Sequence, residues 1–167
     1  RSSALIDAPL IPVRGQALTV RLDKHLSDMM DGDLIVIPAT DRLATVGSTF
    51  EHNSIDPDPR SSETSSLLDS LRHLLPGSSP EVLSVYVGIR AATRDRLPLL
   101  GLVPDHQRLY LCTGFGSHGG THSRLCGEHI ANLICDEPTV LNQAQQAMLA
   151  VDRFQLRDSR KAGPQNS

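Results

Sequence analysis

"LYLCTGFGSHGGTHSRLCGEHIANLI", Leu109–Ile134, reads as a short apolar strand, a glycine-crowded turn and an apolar-striped helix. The spacing predicts a strand over Leu109–Thr113, a turn over Gly114–Gly120 and a helix from about Thr121 to Cys135. Gly114, Gly116, Gly119 and Gly120 strip side chains from the point where strand becomes helix. Backbone N–H groups are laid open there, and the helix start adds a partial positive charge. Such a turn suits a phosphate, a carboxylate or the electron-rich edge of a flat heterocycle, and lets a ring approach the backbone closely. The spacing is neither GxGxxG followed by a distant acidic residue nor a Walker loop. A glycine-capped turn with no ligand is therefore the equal alternative. A lone strand–turn–helix also needs neighbouring strands to form a parallel sheet, and the rest of the chain does not supply them.

What precedes this unit is mostly antiparallel in pattern. Ala8–Leu22 is extended, with interruptions expected at Pro12 and Gly15. Asp33–Phe50 predicts a hairpin turning near Thr40–Asp41, from its alternation and β-branched content. Glu63–Gly77 predicts a helix with Leu67, Leu68, Leu71, Leu74 and Leu75 on one face, capped by Ser61 or Ser62 and stopped at Pro76-Gly77. Glu81–Thr93 alternates, with Leu83, Val85, Val87 and Ile89 pointing one way and Tyr86, Gly88 and Arg90 the other. Arg94–Asp105 is a proline-marked crossing segment. A last helix carries Leu141, Ala144, Met148 and Val151 on one stripe, and the final GPQNS is expected to be disordered.

The chain has 167 residues, about one domain by length. Its 16 Lys+Arg against 19 Asp+Glu give no global electrostatic case for nucleic acid or an acidic membrane. Aromatics make up only 3%, so the core must be aliphatic, and part of the natural burial is expected to come from elsewhere. No apolar run approaches the roughly 18 residues of a membrane span. Cys112, Cys126 and Cys135 are odd in number and widely spaced, which fits small buried side chains in a reducing compartment. The chain opens on Arg1 without Met and reads as cut from a longer one.

PVRGQ (Pro12–Gln16), VGSTFEHN (Val46–Asn53), RAATRDRLPLLG (Arg90–Gly101), GFGSHG (Gly114–Gly119), LCGE (Leu125–Glu128) and DRFQLR (Asp152–Arg157) follow one another in a family-specific order. Together they resemble the carboxy-terminal half of the FAD-dependent D-amino-acid-oxidase-like (DAO) family, which includes glycine and sarcosine oxidases. The match is nearest to the oxidase module of its bifunctional members that modify the wobble uridine of tRNA. The resemblance implies an α+β fold: part of a two-domain FAD oxidoreductase. A mostly antiparallel substrate-domain sheet would be joined to the last strand–turn–helix of a Rossmann-like FAD domain. The amino-terminal βαβ, which grips the FAD pyrophosphate, is absent here. On this reading residues 1–96 belong to the substrate-binding domain, 97–137 to the returning FAD-domain segment, and 138–167 to a carboxy-terminal helix and basic tail.

The same resemblance assigns roles. Gly114, Gly116, Ser117, His118, Gly119 and Gly120 would line the flavin edge, where helix-end amides stabilise the charge gained on reduction. His118 would either add positive charge there or simply fill the turn. Arg90 would clamp the substrate carboxylate bidentately, with Tyr86 as a wall of the same pocket. No catalytic base is assigned. Thr121 stands where sarcosine-oxidase-like members carry a Lys, which argues against that activity. Arg94 and Asp95 would organise the crossing segment by an ion pair. His118 and His122 have an HxxxH spacing, but Gly119-Gly120 interrupt the helix between them, and no metal is expected. Arg153, Arg157, Arg160 and Lys161 are a solvated basic face or, alternatively, a contact for tRNA phosphates.

The function implied is oxidation of a carboxymethyl-substituted secondary amine, carboxymethylaminomethyl-uridine in tRNA going to aminomethyl-uridine, in the cytoplasm. The alternatives are a free amino-acid oxidase acting on glycine, sarcosine or a D-amino acid, and a truncated chain without catalysis. FAD binding by these 167 residues alone is expected to be weak or absent without the amino-terminal segment.

Overall fold

The computed structural model of the chain describes residues 8–155. Eight strands and three helices are bounded within these residues, and a further helical turn opens at Arg153. The bounded elements are β1 (Leu10–Arg21), β2 (Met30–Asp31), β3 (Ile35–Pro38), β4 (Leu43–Gly47), β5 (Glu51–His52), α1 (Ser61–Leu74), β6 (Glu81–Thr93), β7 (Leu99–Leu102), β8 (Tyr110–Thr113), α2 (Gly119–Ile134) and α3 (Gln143–Leu149). The described residues form two compact units: residues 12–89, and residues 90–155 together with 8–11. Their limits fall inside β1 and β6. The division expected at residue 96 concerns family domains and is a separate matter from these units.

The unit of residues 12–89 is built on an antiparallel sheet in the order β2-β3-β4-β1-β5, with β6 also pairing β1. β3 and β4 form the hairpin expected from the sequence, and its turn places Asp41 and Arg42 at φ of 55° and 63°. Two successive positive φ values match the right-handed twist of the flanking strands. β1 runs unbroken for 12 residues, against the interruptions expected at Pro12 and Gly15. Pro12 lies near the strand's start and uses its carbonyl, which accepts from the Asn53 N–H.

Register decides which sheet face is buried. Val36, Val46 and Leu18 stand opposite one another in one row, and Pro38, Ala44 and Val20 in another. Leu18, Val20, Val36, Ala44 and Val46 are all buried and pack with Leu67, Leu71 and Leu75 of the α1 region. That is the apolar helix face foreseen in the leucine spacing. Ser61 and Ser62 do not cap α1. Its N-cap is Arg60, which makes no side-chain cap bond. Buried Gln16 takes over, its Oε1 accepting from the Arg60 N–H at 2.7 Å while its Nε2 donates to Thr64 Oγ1 at 2.8 Å. Arg14, also buried, donates to Glu63 and to the carbonyls of Asp56 and Asp58. The PVRGQ motif is thus the polar anchor of the loop and helix that follow the hairpin.

In the other unit β7 pairs antiparallel with β8, Leu100 opposite Cys112. The crossing segment therefore contains a strand that proline content alone had hidden. α2 begins at Gly119, two residues before the expected start. Leu100, Cys126 and Leu141 form a small core with Phe115, Ile130 and Leu149 against it. Of the three thiols, all free, only Cys126 is buried, which corrects the expectation of three interior cysteines. α3 opens with a capping box, Asn142 and Gln145 each bonding the other's backbone N–H. Leu141 precedes the helix and is buried, whereas Met148 on the expected stripe is exposed. The terminal GPQNS, with Arg157, Arg160 and Lys161, lies outside the described residues.

Candidate functional site

The glycine turn has two limbs with different reasons for lacking side chains. Gly114 sits at φ 79° and Gly116 at φ 54°, both left-handed. A Cβ on Gly114 would lie 2.8 Å from Thr93 Cγ2, so backbone shape and packing both demand glycine there. The Gly116 N–H donates to the Ala91 carbonyl at 2.9 Å, and Phe115 bridges to Ala92. This limb is therefore laced to the end of β6, one residue beyond Arg90.

The second limb has no such need. Gly119 and Gly120 open α2 without positive φ. A Cβ on Gly119 would meet only Phe115 Cβ, at 3.8 Å, and one on Gly120 would meet nothing within 4 Å. Glycine in a helix costs up to about 1 kcal/mol relative to alanine. Neither fold nor packing explains that cost here. What remains is a bare, amide-bearing helix start with open space beside it, and its chemistry suits a flat anionic or electron-rich group. His118 is the N-cap residue, and its ring centroid stands 5.7 Å from that of His122. No acidic residue lies in the first turn of α2 to offset the positive helix end. Among the described residues no group of three or more His, Cys, Asp or Glu is placed to hold a metal.

Arg90 is half-buried, and burial pushes its guanidinium down from the usual value. It belongs to the same unit as the turn. Tyr86 lies in the sheet unit and is 56% exposed. Register explains why. Ile37, Thr45 and Thr19 form a row on the sheet face opposite the core, and Thr19 Oγ1 donates to Tyr86 OH at 3.4 Å. Hydrogen bonds with Ser84 and Thr19 draw the Tyr86 phenol below its ordinary pKa. Ile35, Ile37 and Tyr86 leave this face open and largely apolar, with hydroxyls in its middle. Leu83 and Ile89 of β6 are exposed as well.

Arg153 is where the sequence misled most. It is 2% exposed and belongs to no solvated basic face. Its guanidinium donates to both Asp95 carboxylate oxygens, at 3.1 and 2.9 Å, and to the carbonyls of Leu97 and Pro98 at 2.7 and 2.9 Å. Burial works against the Asp95 charge, but Arg153's hydrogen bonds and charge and the Leu97 N–H outweigh it, and the pKa falls to about 2. Arg94 and Arg153 both stack on Phe154, at 4.6 and 4.5 Å from its ring centre. The only sequence signal of this long-range pairing was the joint presence of AATRD and DRFQ.

The fold recurs in solved structures of two larger oxidases. Glycine oxidase from Geobacillus kaustophilus superposes with a TM-score of 0.78 at 23% identity, over 90% of this chain and 42% of that one. Iminodiacetate oxidase from Chelativorans sp. BNC1 superposes with a TM-score of 0.75 at 22% identity, over 86% of this chain and 40% of that one. At such identities the likeness speaks for the fold alone. Residues 2–133 match the family described as FAD dependent oxidoreductase, DAO, and the chain belongs to it. Among relatives, the tRNA 5-methylaminomethyl-2-thiouridine biosynthesis bifunctional protein MnmC of Marinobacter nauticus is 35% identical over 80% of this chain and 23% of its own length. D-amino acid dehydrogenase of Paramagnetospirillum magneticum is 32% identical over 87% of this chain and 35% of its own length. The chain thus spans about a quarter to a third of these relatives. No helix among the described residues is long and apolar enough to cross a membrane.

Proposed function

We propose that the chain is the carboxy-terminal, substrate-facing part of a cytoplasmic FAD-dependent amine oxidoreductase. Its substrate would be a secondary amine bearing a carboxymethyl group, and carboxymethylaminomethyl-uridine of tRNA is the first choice. One observation carries the reading: Gly119 and Gly120 are bare where neither backbone nor packing asks for glycine. Gly114, Gly116, Ser117, His118, Gly119 and Gly120 would hold the flavin edge, and FAD, when bound, supplies the hydride acceptor. The α2 amides would present positive potential to the edge that gains charge. Arg90 would hold the carboxylate and fix the amine carbon in place. Tyr86, on the open face of the sheet unit, is the second candidate for substrate binding.

Relatives named for tRNA modification at 35% identity support the tRNA substrate. The D-amino acid dehydrogenase relative at 32% supports a second reading, a free amino-acid oxidase. The same carboxylate clamp serves both. Anaerobic bleaching of flavin absorbance in the intact protein tests them side by side. Bleaching by carboxymethylaminomethyl-modified tRNA is expected. Bleaching by glycine, sarcosine or a D-amino acid without any response to tRNA would replace the first reading with the second.

A further inference from the structure

We infer that Arg153 is a positioning residue for the glycine turn, acting through the Leu97 carbonyl and Thr93; the inference rests on the flavin-edge reading of that turn. The connection is continuous. Arg153 Nη2 donates to the Leu97 carbonyl at 2.7 Å, and Thr93 Oγ1 donates to the same oxygen at 2.7 Å. Asp95, held by Arg153, accepts from the Leu97 N–H at 3.2 Å. Both polar ends of Leu97 are thereby fixed. Thr93, 2% exposed, turns its methyl to Gly114, where a Cβ would come within 2.8 Å of it. Next to Thr93, Ala92 and Ala91 carry the bridge to Phe115 and the bond from the Gly116 N–H. A single rigid path thus leads from the carboxy-terminal segment to the turn, past the residue that follows Arg90.

Chemistry explains why this node is a charge and not a leucine. A buried ion pair adds little net stability over apolar packing of equal volume, but it fixes geometry. Arg153 also donates to the Leu149 and Ala150 carbonyls, at 3.2 and 3.3 Å. The planar fork therefore ties two stretches of backbone, residues 97–98 and 149–150, and the Asp95 carboxylate in one orientation. A turn that must aim amides within a few tenths of an ångström gains from such a tie.

Amide hydrogen exchange on the 167-residue chain, without flavin, tests the path directly. Arg153→Met is expected to speed exchange of the Gly116 and His118 N–H groups at least tenfold and to leave Val36 and Val46 unchanged. Thr93→Val keeps the side-chain shape, removes the bond to Leu97 and leaves Arg153 intact. It should reproduce the effect, and the double variant should add little to either. If Arg153→Met does not fold, Thr93→Val alone decides. Unchanged exchange at Gly116 in Thr93→Val, or a uniform rise across every amide of residues 90–155, would overturn the inference. In the intact flavin-loaded protein, Arg153→Met should also weaken sulfite binding by the flavin about tenfold, with part of that loss recovered in Arg153→Lys. A loosened turn with unaltered sulfite affinity would sink the flavin-edge reading and leave the Arg153 path standing.

Discussion

Replacing Gly114 by alanine puts the geometry of the turn under the severest strain. The new Cβ meets two separate penalties. At φ 79° an L-residue sits in the left-handed region, which costs about 1–2 kcal/mol. Its Cβ would also stand 2.8 Å from Thr93 Cγ2, with Leu10 Cδ2 at 3.4 Å and the Leu99 nitrogen at 3.6 Å closing the other sides. Overpacking of this kind costs about 1–3 kcal/mol. Alanine recovers about 0.4–1 kcal/mol by restricting the unfolded chain. The net loss is therefore about 1–4.6 kcal/mol, a fall of roughly fivefold to two-thousandfold in the folding constant. Urea unfolding with hydrogen exchange of the β7 and β8 amides reads the unit concerned. Gly116→Ala provides the internal standard. At φ 54° with Ala92 Cβ at 3.5 Å, it carries the backbone penalty with almost no clash. Thr93→Ser in the Gly114→Ala background removes the offending methyl and should restore about 1–2 kcal/mol. A Gly114→Ala variant within about 0.5 kcal/mol of the parent, or milder than Gly116→Ala, would refute the packing of this turn.

Further outcomes follow from other residues. Asp95 has a folded pKa of about 2 against an ordinary value of 3.8, so its contribution is complete above about pH 4 and is lost as pH falls through 2. That shift corresponds to about 2 kcal/mol, and Asp95→Asn should flatten this part of an acid-unfolding curve. Leu71→Ala empties a fully buried position under the sheet and should cost about 2–5 kcal/mol, read at the β1 and β4 amides. Gly120→Ala has nothing to strike and should leave stability unchanged or raise it by up to about 1 kcal/mol in thermal unfolding. Flavin absorbance of the purified 167-residue chain should be faint or nil, since the segment expected to grip the FAD pyrophosphate is not in it.

Local patterns in the sequence translated directly into structure. The hairpin at β3 and β4, the leucine face of α1 and the strand–turn–helix at Gly114–Gly120 each follow from spacing within a dozen residues. What the sequence hid depends on partners far along the chain. Gln16 closes the start of α1 from 44 residues away, so the nearby serines were the wrong caps. Arg153 lies next to exposed-looking charges, and Asp95, 58 residues earlier, supplies the opposite charge that helps make its burial tolerable. Met148 sits on a plausible apolar stripe, but α3 is seven residues long and buries none of its own side chains. For the candidate site, glycine composition was visible and its two causes were not. The positive φ values of Gly114 and Gly116 and the open surroundings of Gly119 and Gly120 emerge only in three dimensions.

Flavin titration of the intact protein carrying Gly119→Val, set beside thermal unfolding of the same variant, tests the central claim most directly. The added Cβ strains no backbone angle and meets only Phe115 Cβ within 4 Å. The account predicts unfolding within about 0.5 kcal/mol of the parent and flavin affinity lowered at least a hundredfold. Parent-like flavin affinity in a stably folded Gly119→Val protein would contradict it.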